Sequence, residues 1–260
     1  MSALRYVYGI VPESAATAVD AAALRGLESG VVRALVDGPF AAAVSDLDEM
    51  AWGSEVLNER VRDVAWLTPQ AEVHQAVNAR LLDIAGVVLP LSFGALYRDD
   101  SRVREMLRED AGARSARLAS LAGRAEWVVT VMRDAASVPN DDDGVRELDR
   151  EIAASAPGRG YLLDKRRTSV ASAATERADA DAARQALDRV EAVSERAYRE
   201  PVVKGAGDVV VLRVSLLAQR ERAASIDRAI GALGDDLAPR GYHVRSSGPW
   251  PAYRFGSLSA

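Results

Sequence analysis

Apolar and polar positions along the chain fall into two periods, and the switches between them mark the elements. Residues 4–11 are rich in aromatic and β-branched side chains and stop at Pro12, which predicts a strand. Ser14 opens an Ala-rich helix that runs to Leu24. Residues 31–36 and 40–44 flank Asp37-Gly38-Pro39, a turn between two strands of a hairpin. From Ser54 the spacing of Leu57, Val61 and Val64 is that of one helix face. Thr68-Pro69 predicts a restart, and Val73, Val77, Leu81 and Ile84 carry the apolar stripe to Gly86. Residues 87–97 are then apolar enough for a buried strand, although Pro90 cannot donate to a ladder and Gly94 marks a bend or a close backbone approach. The order β-α-β-β-α-β is that of a ferredoxin-like unit.

Beyond this point the helical period dominates. A helix starting at Asp99 or Asp100 repeats Val103, Leu107, Ala111, Arg114, Leu118 and Leu121 and ends at Gly123, where a domain boundary is placed. Residues 127–132 form a strand with apolar side chains on both faces. Asp141-Asp142-Asp143-Gly144 lacks the alternating ligands and distal Glu of a calcium loop and reads as a solvated lead into a helix from Val145. Pro157-Gly158-Arg159-Gly160 interrupts that helix, and a long helix is predicted over 161–199, closed by Pro201. Residues 208–217 alternate as a strand, Ala223, Ile226, Ile230, Leu233 and Leu237 mark an amphipathic helix that covers it, and residues 242–246 return as a strand. The expected architecture is α+β in two domains: a ferredoxin-like domain with its trailing helix over 1–123, and an α+β domain with a long helical arm over 124–260.

Composition narrows the function. The chain has 260 residues, 48% hydrophobic and 27% charged, a soluble globular composition of a size that favours two domains. With 33 basic residues spread among 38 acidic ones and a net charge of -5, no basic field exists for nucleic acid. Zero cysteines exclude disulfides, thiol nucleophiles and thiolate metal sites. The first residues lack the apolar run of a signal peptide and no stretch approaches a membrane span, so a cytoplasmic protein is expected. His74 and His243 sit outside metal-ligand spacing, no GxSxG elbow is present, and the paired acids Asp99-Asp100 and Asp235-Asp236 fall at helix ends. The expectation is a protein without catalysis, metal or cofactor. The alternative is an enzyme that holds a nucleotide or anion on Gly158 to Arg167, where glycines stand beside Lys165-Arg166-Arg167, although neither phosphate-loop spacing is present.

Four segments carry a resemblance. Val88-Leu89-Pro90-Leu91-Ser92-Phe93-Gly94, preceded by His74, lies between Tyr6-Val7-Tyr8-Gly9-Ile10 and Pro157-Gly158-Arg159-Gly160-Tyr161-Leu162, with Gly248-Pro249-Trp250-Pro251-Ala252-Tyr253-Arg254-Phe255 at the end. Their order over nearly the whole chain resembles the gas vesicle protein F/L family. The resemblance implies an accessory or minor structural protein of gas vesicles that binds the small hydrophobic shell subunit and supports formation of the wall, with other accessory proteins as further partners. A polymerising apolar subunit needs a soluble companion that offers an apolar patch. Leu89, Pro90, Phe93, Gly94 and Tyr97, together with Trp250, Tyr253 and Phe255, are the expected contributors, because prolines and glycines make both segments poor regular strands. A scaffold that joins accessory proteins through the long helix is the other alternative.

Overall fold

The computed structural model describes residues 3–134, 143–202 and 208–256. Asp141 and Asp142 of the acidic run lie outside the described residues, and Asp143 begins a helix. By their contacts the residues form two units: Met1–Glu126 together with Pro249–Ala260, and Trp127–Gly248. The sequence reading assigned 124–260 to one domain, whereas the contacts group the last stretch with the first unit.

In the first unit the elements are β1 (Ala3–Pro12), α1 (Ala16–Ala21), β2 (Arg33–Asp37), β3 (Phe40–Asp48), α2 (Glu49–Trp52), α3 (Ser54–Arg60), α4 (Val64–Ala85), β4 (Leu89–Pro90), β5 (Leu96–Tyr97), α5 (Asp100–Arg108) and α6 (Ala111–Leu121). The sheet order is β2-β3-β1-β4, with β5 also on β1, and these strands pair antiparallel. That is the ferredoxin-like arrangement. β1 is central because Tyr6, Val7, Tyr8, Ile10 and Val11 are all buried, so both of its faces are covered. Each such side chain contributes about 1.5–3 kcal/mol of burial.

Three local expectations are corrected here. Thr68-Pro69 does not restart a helix. α4 already begins at Val64, where the Asp63 carboxylate accepts from the Ala65 amide at 2.9 Å, and Pro69 lies within it. Residues 87–97 form two short strands rather than one. The helix from Asp100 is likewise broken in two at Asp110, whose backbone is left-handed. Buried Arg114 closes that break by donating to the carbonyls of Leu107, at 2.8 Å, and Glu109.

The second unit contains β6 (Arg124–Arg133), whose first residues belong to the first unit, followed by α7 (Asp143–Ala153), α8 (Pro157–Val193), β7 (Arg196–Arg199), β8 (Val209–Gln219), α9 (Ala223–Leu237) and β9 (Tyr242–Trp250). Its sheet order, β7-β8-β6-β9, repeats that of the first: second strand, third, first, fourth. The long helix starts earlier and ends sooner than predicted. Pro157 occupies its first turn, where the missing donor costs nothing. At its other end Ser194 is extended and the Glu195 amide donates to Leu217 O at 2.9 Å, so residues 196–199 join the sheet as an edge strand. At 37 residues α8 is about 55 Å long. Asp179 ties it to the sheet, accepting from Arg133 at 2.9 Å and from the Tyr242 hydroxyl at 2.9 Å. Burial and the neighbouring carboxylate push the Tyr242 phenol up to about 12.

A short helix, α10 (Tyr253–Gly256), belongs to the first unit.

Candidate functional site

The edge of the first sheet is interrupted where the sequence places Pro90 and Gly94. The Leu91 amide donates to Tyr8 O at 2.9 Å and the Val7 amide to Ala95 O at 2.9 Å, so adjacent residues of β1 face positions four apart. Residues 92–94 therefore leave the ladder as a bulge, and Gly94 takes a φ of +91° there. β1 shifts register against β3 at the same level, between Val7 and Gly9.

A buried polar network holds the bulge. Tyr6 Oη lies 2.7 Å from His74 Nδ1, His74 Nε2 lies 3.1 Å from Leu91 O, and the Gly94 amide donates to Tyr6 Oη at 3.3 Å. The carbonyl at Nε2 requires a proton there, so Nδ1 accepts from Tyr6. Burial lowers the His74 pKa to about 4, which keeps the ring neutral. One turn on, Asn78 donates to Tyr8 O at 3.0 Å. Its carbonyl oxygen presses on Gly9, where a Cβ would come within 2.5 Å. Phe93 stands edge-on to Tyr6 and His74 and also meets Trp52 and Trp66, giving the bulge an aromatic floor.

The second predicted segment reaches the same place. Tyr253 lies 6.3 Å from the His74 ring, and Gly256 sits where a Cβ would touch Pro90 and Leu121 at 3.5 Å. Its backbone is fixed by the Arg254 amide on Glu126 at 2.8 Å and by Arg117 on Phe255 O at 3.0 Å. Burial pushes the Tyr253 phenol well above its ordinary value, with the nearby Asn78 amide acting the other way.

The eight expected residues thus divide. Leu89 and Phe255 are buried and anchor the two segments from below. Pro90, Phe93, Gly94, Tyr97, Trp250 and Tyr253 are half-buried, and Ser92 is exposed at the tip of the bulge. Tyr6, Asn78, Trp52 and Trp66, which set the geometry, were not among the expected contributors. A signal for one of them exists: His74 and Asn78 are polar residues four apart, so they share a helix face, and both are buried together with Val77 and Leu81.

Gly158 and Gly160 lie in the first turn of α8 with open space around them, and Arg167 is engaged by Asp149. Among the described residues no group of three or more His, Asp or Glu is placed to hold a metal ion. Among them, too, no helix is long and apolar enough to cross a membrane.

Comparison with known proteins agrees with this architecture. Over the whole chain the fold is similar to the crystal structure of gas vesicle protein GvpF from Microcystis aeruginosa, with a TM-score of 0.71 at 15% identity, covering 99% of this chain and 100% of that one. It is also similar to GvpF from an Anabaena species, with a TM-score of 0.67 at 16% identity, covering 100% and 98%. In sequence the chain is 29% identical to gas vesicle protein L of a Streptomyces species, over 98% of this chain and 94% of that protein. It is 30% identical to gas vesicle protein F of the same organism, over 96% and 98%. The model of the gas vesicle synthesis protein GvpL/GvpF family matches residues 4–257, and the chain belongs to that family.

Proposed function

We propose that this chain is an accessory factor of gas vesicle assembly that binds the small hydrophobic shell subunit through the half-buried bulge of the first sheet and supports growth of the wall. Membership of the family supports the role in assembly. The observation that carries the finer reading is that residues 92–94 leave the ladder and are held there by Tyr6 and His74, with Pro90, Phe93 and Tyr97 half-buried along the same edge. Such a surface is already ordered before a partner arrives, so docking costs little conformational entropy. Trp250 adds a rigid aromatic between two prolines. No bond chemistry is needed: the site offers apolar surface and fixed backbone, and keeps a polymerising subunit from self-association until it is delivered.

The test is capture of purified shell subunit by Phe93→Ala and Trp250→Ala variants whose circular dichroism matches wild type. The reading predicts at least tenfold weaker capture. Unchanged capture by both contradicts it.

A specific feature favours the scaffold as a second reading. Tyr161 and Leu162, in the first turns of α8, are 61% and 67% exposed, and Lys165 packs over the Tyr161 ring at 5.0 Å. Exposed apolar side chains on a long helix suit contact with other accessory proteins. Co-purification of those proteins with a Tyr161→Ser, Leu162→Ser variant separates the readings, because only the scaffold loses its partners.

A further inference from the structure

β7 is an end strand of the second sheet, and its bonding is one-sided. The sheet order is β7-β8-β6-β9, and β7 pairs with β8 alone among the described strands. The Glu200 amide donates to Arg213 O at 2.8 Å. In that antiparallel register Arg196, Tyr198 and Glu200 turn their backbone groups towards β8, whereas Ala197 and Arg199, opposite Leu216 and Val214, turn theirs away. No hydrogen bond among the described residues meets the outward amides and carbonyls of Ala197 and Arg199. Arg196, Tyr198 and Arg199 are exposed, Tyr198 by 43%.

The edge reads Glu195-Arg196-Ala197-Tyr198-Arg199-Glu200, the same order of charges from either end. Such a segment suits an antiparallel copy of itself. With Ala197 set against Arg199 of a second copy, and Arg199 against its Ala197, every outward amide meets an outward carbonyl. The side chains then fall into place. Tyr198 lies on the two-fold axis against Tyr198 of the second copy, and Arg196 stands opposite its Glu200 on the same face, an ion pair that symmetry repeats. Glu200 keeps its bond from Ser215 Oγ at 2.8 Å, since a carboxylate accepts several. A slip of one residue sets Arg196 against Arg199 and Glu195 against Glu200, so like charges repel.

The other strand edges do not meet these conditions. On β2, where Val36 also faces outward, a copy would oppose Arg33 to Asp37, but the outward Ala34 amide is already bonded to Asp20 Oδ1 at 2.7 Å. Arg33 and Asp37 are held as well, by Asp100 at 2.8 Å and Arg108 at 2.6 Å. β9 carries Arg245 and no acid, so its own copy offers no opposite charge. β4 and β5 have only two residues each.

We propose that β7 is a self-recognition edge: two copies of this chain pair their β7 strands antiparallel about Tyr198 and join their second sheets into one. The interface is isologous and closes at two chains, so that edge is used up in the pair. The mixed charges of β7 have two effects. They keep the edge soluble in the single chain and admit one register in the pair. This inference does not depend on what the first unit binds.

The experiment is sedimentation equilibrium of the full chain and of two variants, Arg196→Glu and Glu200→Arg. Wild type is expected to approach twice the 27.8 kDa of one chain as its concentration rises. Each variant alone opposes like charges and associates at least tenfold more weakly. Mixed, the two variants set the acids of one copy against the arginines of the other, and the dimer returns. A wild type that stays at 27.8 kDa at every concentration overturns the proposal, and so does a mixture that associates no better than its parts. A second arm uses the lack of native cysteine. Tyr198→Cys is expected to give a disulfide-linked dimer under mild oxidation, because paired Cα atoms at such a position lie about 4.5 Å apart. Crosslinking of Tyr198→Cys no faster than that of Arg184→Cys, at an exposed position on α8, also overturns it.

Discussion

The Tyr6 hydroxyl donates to His74 Nδ1 at 2.7 Å, and through this bond the central strand of the first sheet and the helix beneath it fix the shape of the sheet's edge. His74 in turn holds Leu91 O at 3.1 Å, and Tyr6 Oη receives the Gly94 amide at 3.3 Å. Both ends of the bulge are thus tied to one buried pair. The Leu91 carbonyl and the Gly94 amide, both lost from the ladder, are satisfied by these side chains, which lowers the cost of the edge leaving the sheet.

Stability should follow the protonation of His74. Its folded pKa, about 4, lies below that of the unfolded chain, so the unfolded state binds the proton first as pH falls. The stabilisation is complete above about pH 6.5 and declines towards about pH 4, with a total near 3 kcal/mol. Denaturant unfolding of wild type and His74→Gln across that window checks this, and the wild-type curve should fall by about that much more.

Gly9 and Gly158 should respond in opposite directions to alanine. A Cβ at Gly9 meets Asn78 Oδ1 at 2.5 Å and Val88 Cγ2 at 2.8 Å in a packed core, so Gly9→Ala is expected to destabilise by about 2 kcal/mol. Gly158 sits in a helix with nothing nearby, and Gly158→Ala should stabilise by about 0.5–1 kcal/mol. Thermal unfolding of the two variants reads both signs.

In the second unit Asp179 carries two bonds, to Arg133 and to Tyr242. Asp179→Ala removes the acceptor of both bonds, and a loss of about 2 kcal/mol is expected in denaturant titration. Asp181→Ala, at an exposed acid on the same helix paired with exposed Arg184, should cost under about 0.5 kcal/mol.

Much of the first unit could be read from residues. Asp37-Gly38-Pro39 gave the hairpin, Gly86 closed the helix in the left-handed conformation, and Pro90 and Gly94 marked where the edge breaks. The network beneath was harder, because His74 and Asn78 are polar and an apolar stripe through Val73 and Ile84 looked sufficient; the helix is turned so that the polar pair faces inward. In the second unit the repeat of the first topology was hidden, since α7 and α8 intervene between β6 and β7, and β7 reads Arg-Ala-Tyr-Arg, with the charges of an exposed edge and no apolar alternation. Its helical spacing in sequence continued the helix before it, and only pairing with β8 makes it a strand.

The most direct test of the central claim places a photo-crosslinking phenylalanine analogue at Ser92, the exposed tip of the bulge, and another at Arg184, exposed on α8. Each full-length variant is irradiated with purified shell subunit. The account predicts a covalent adduct with the subunit from position 92 and none from position 184. An adduct from 184 with none from 92 contradicts it.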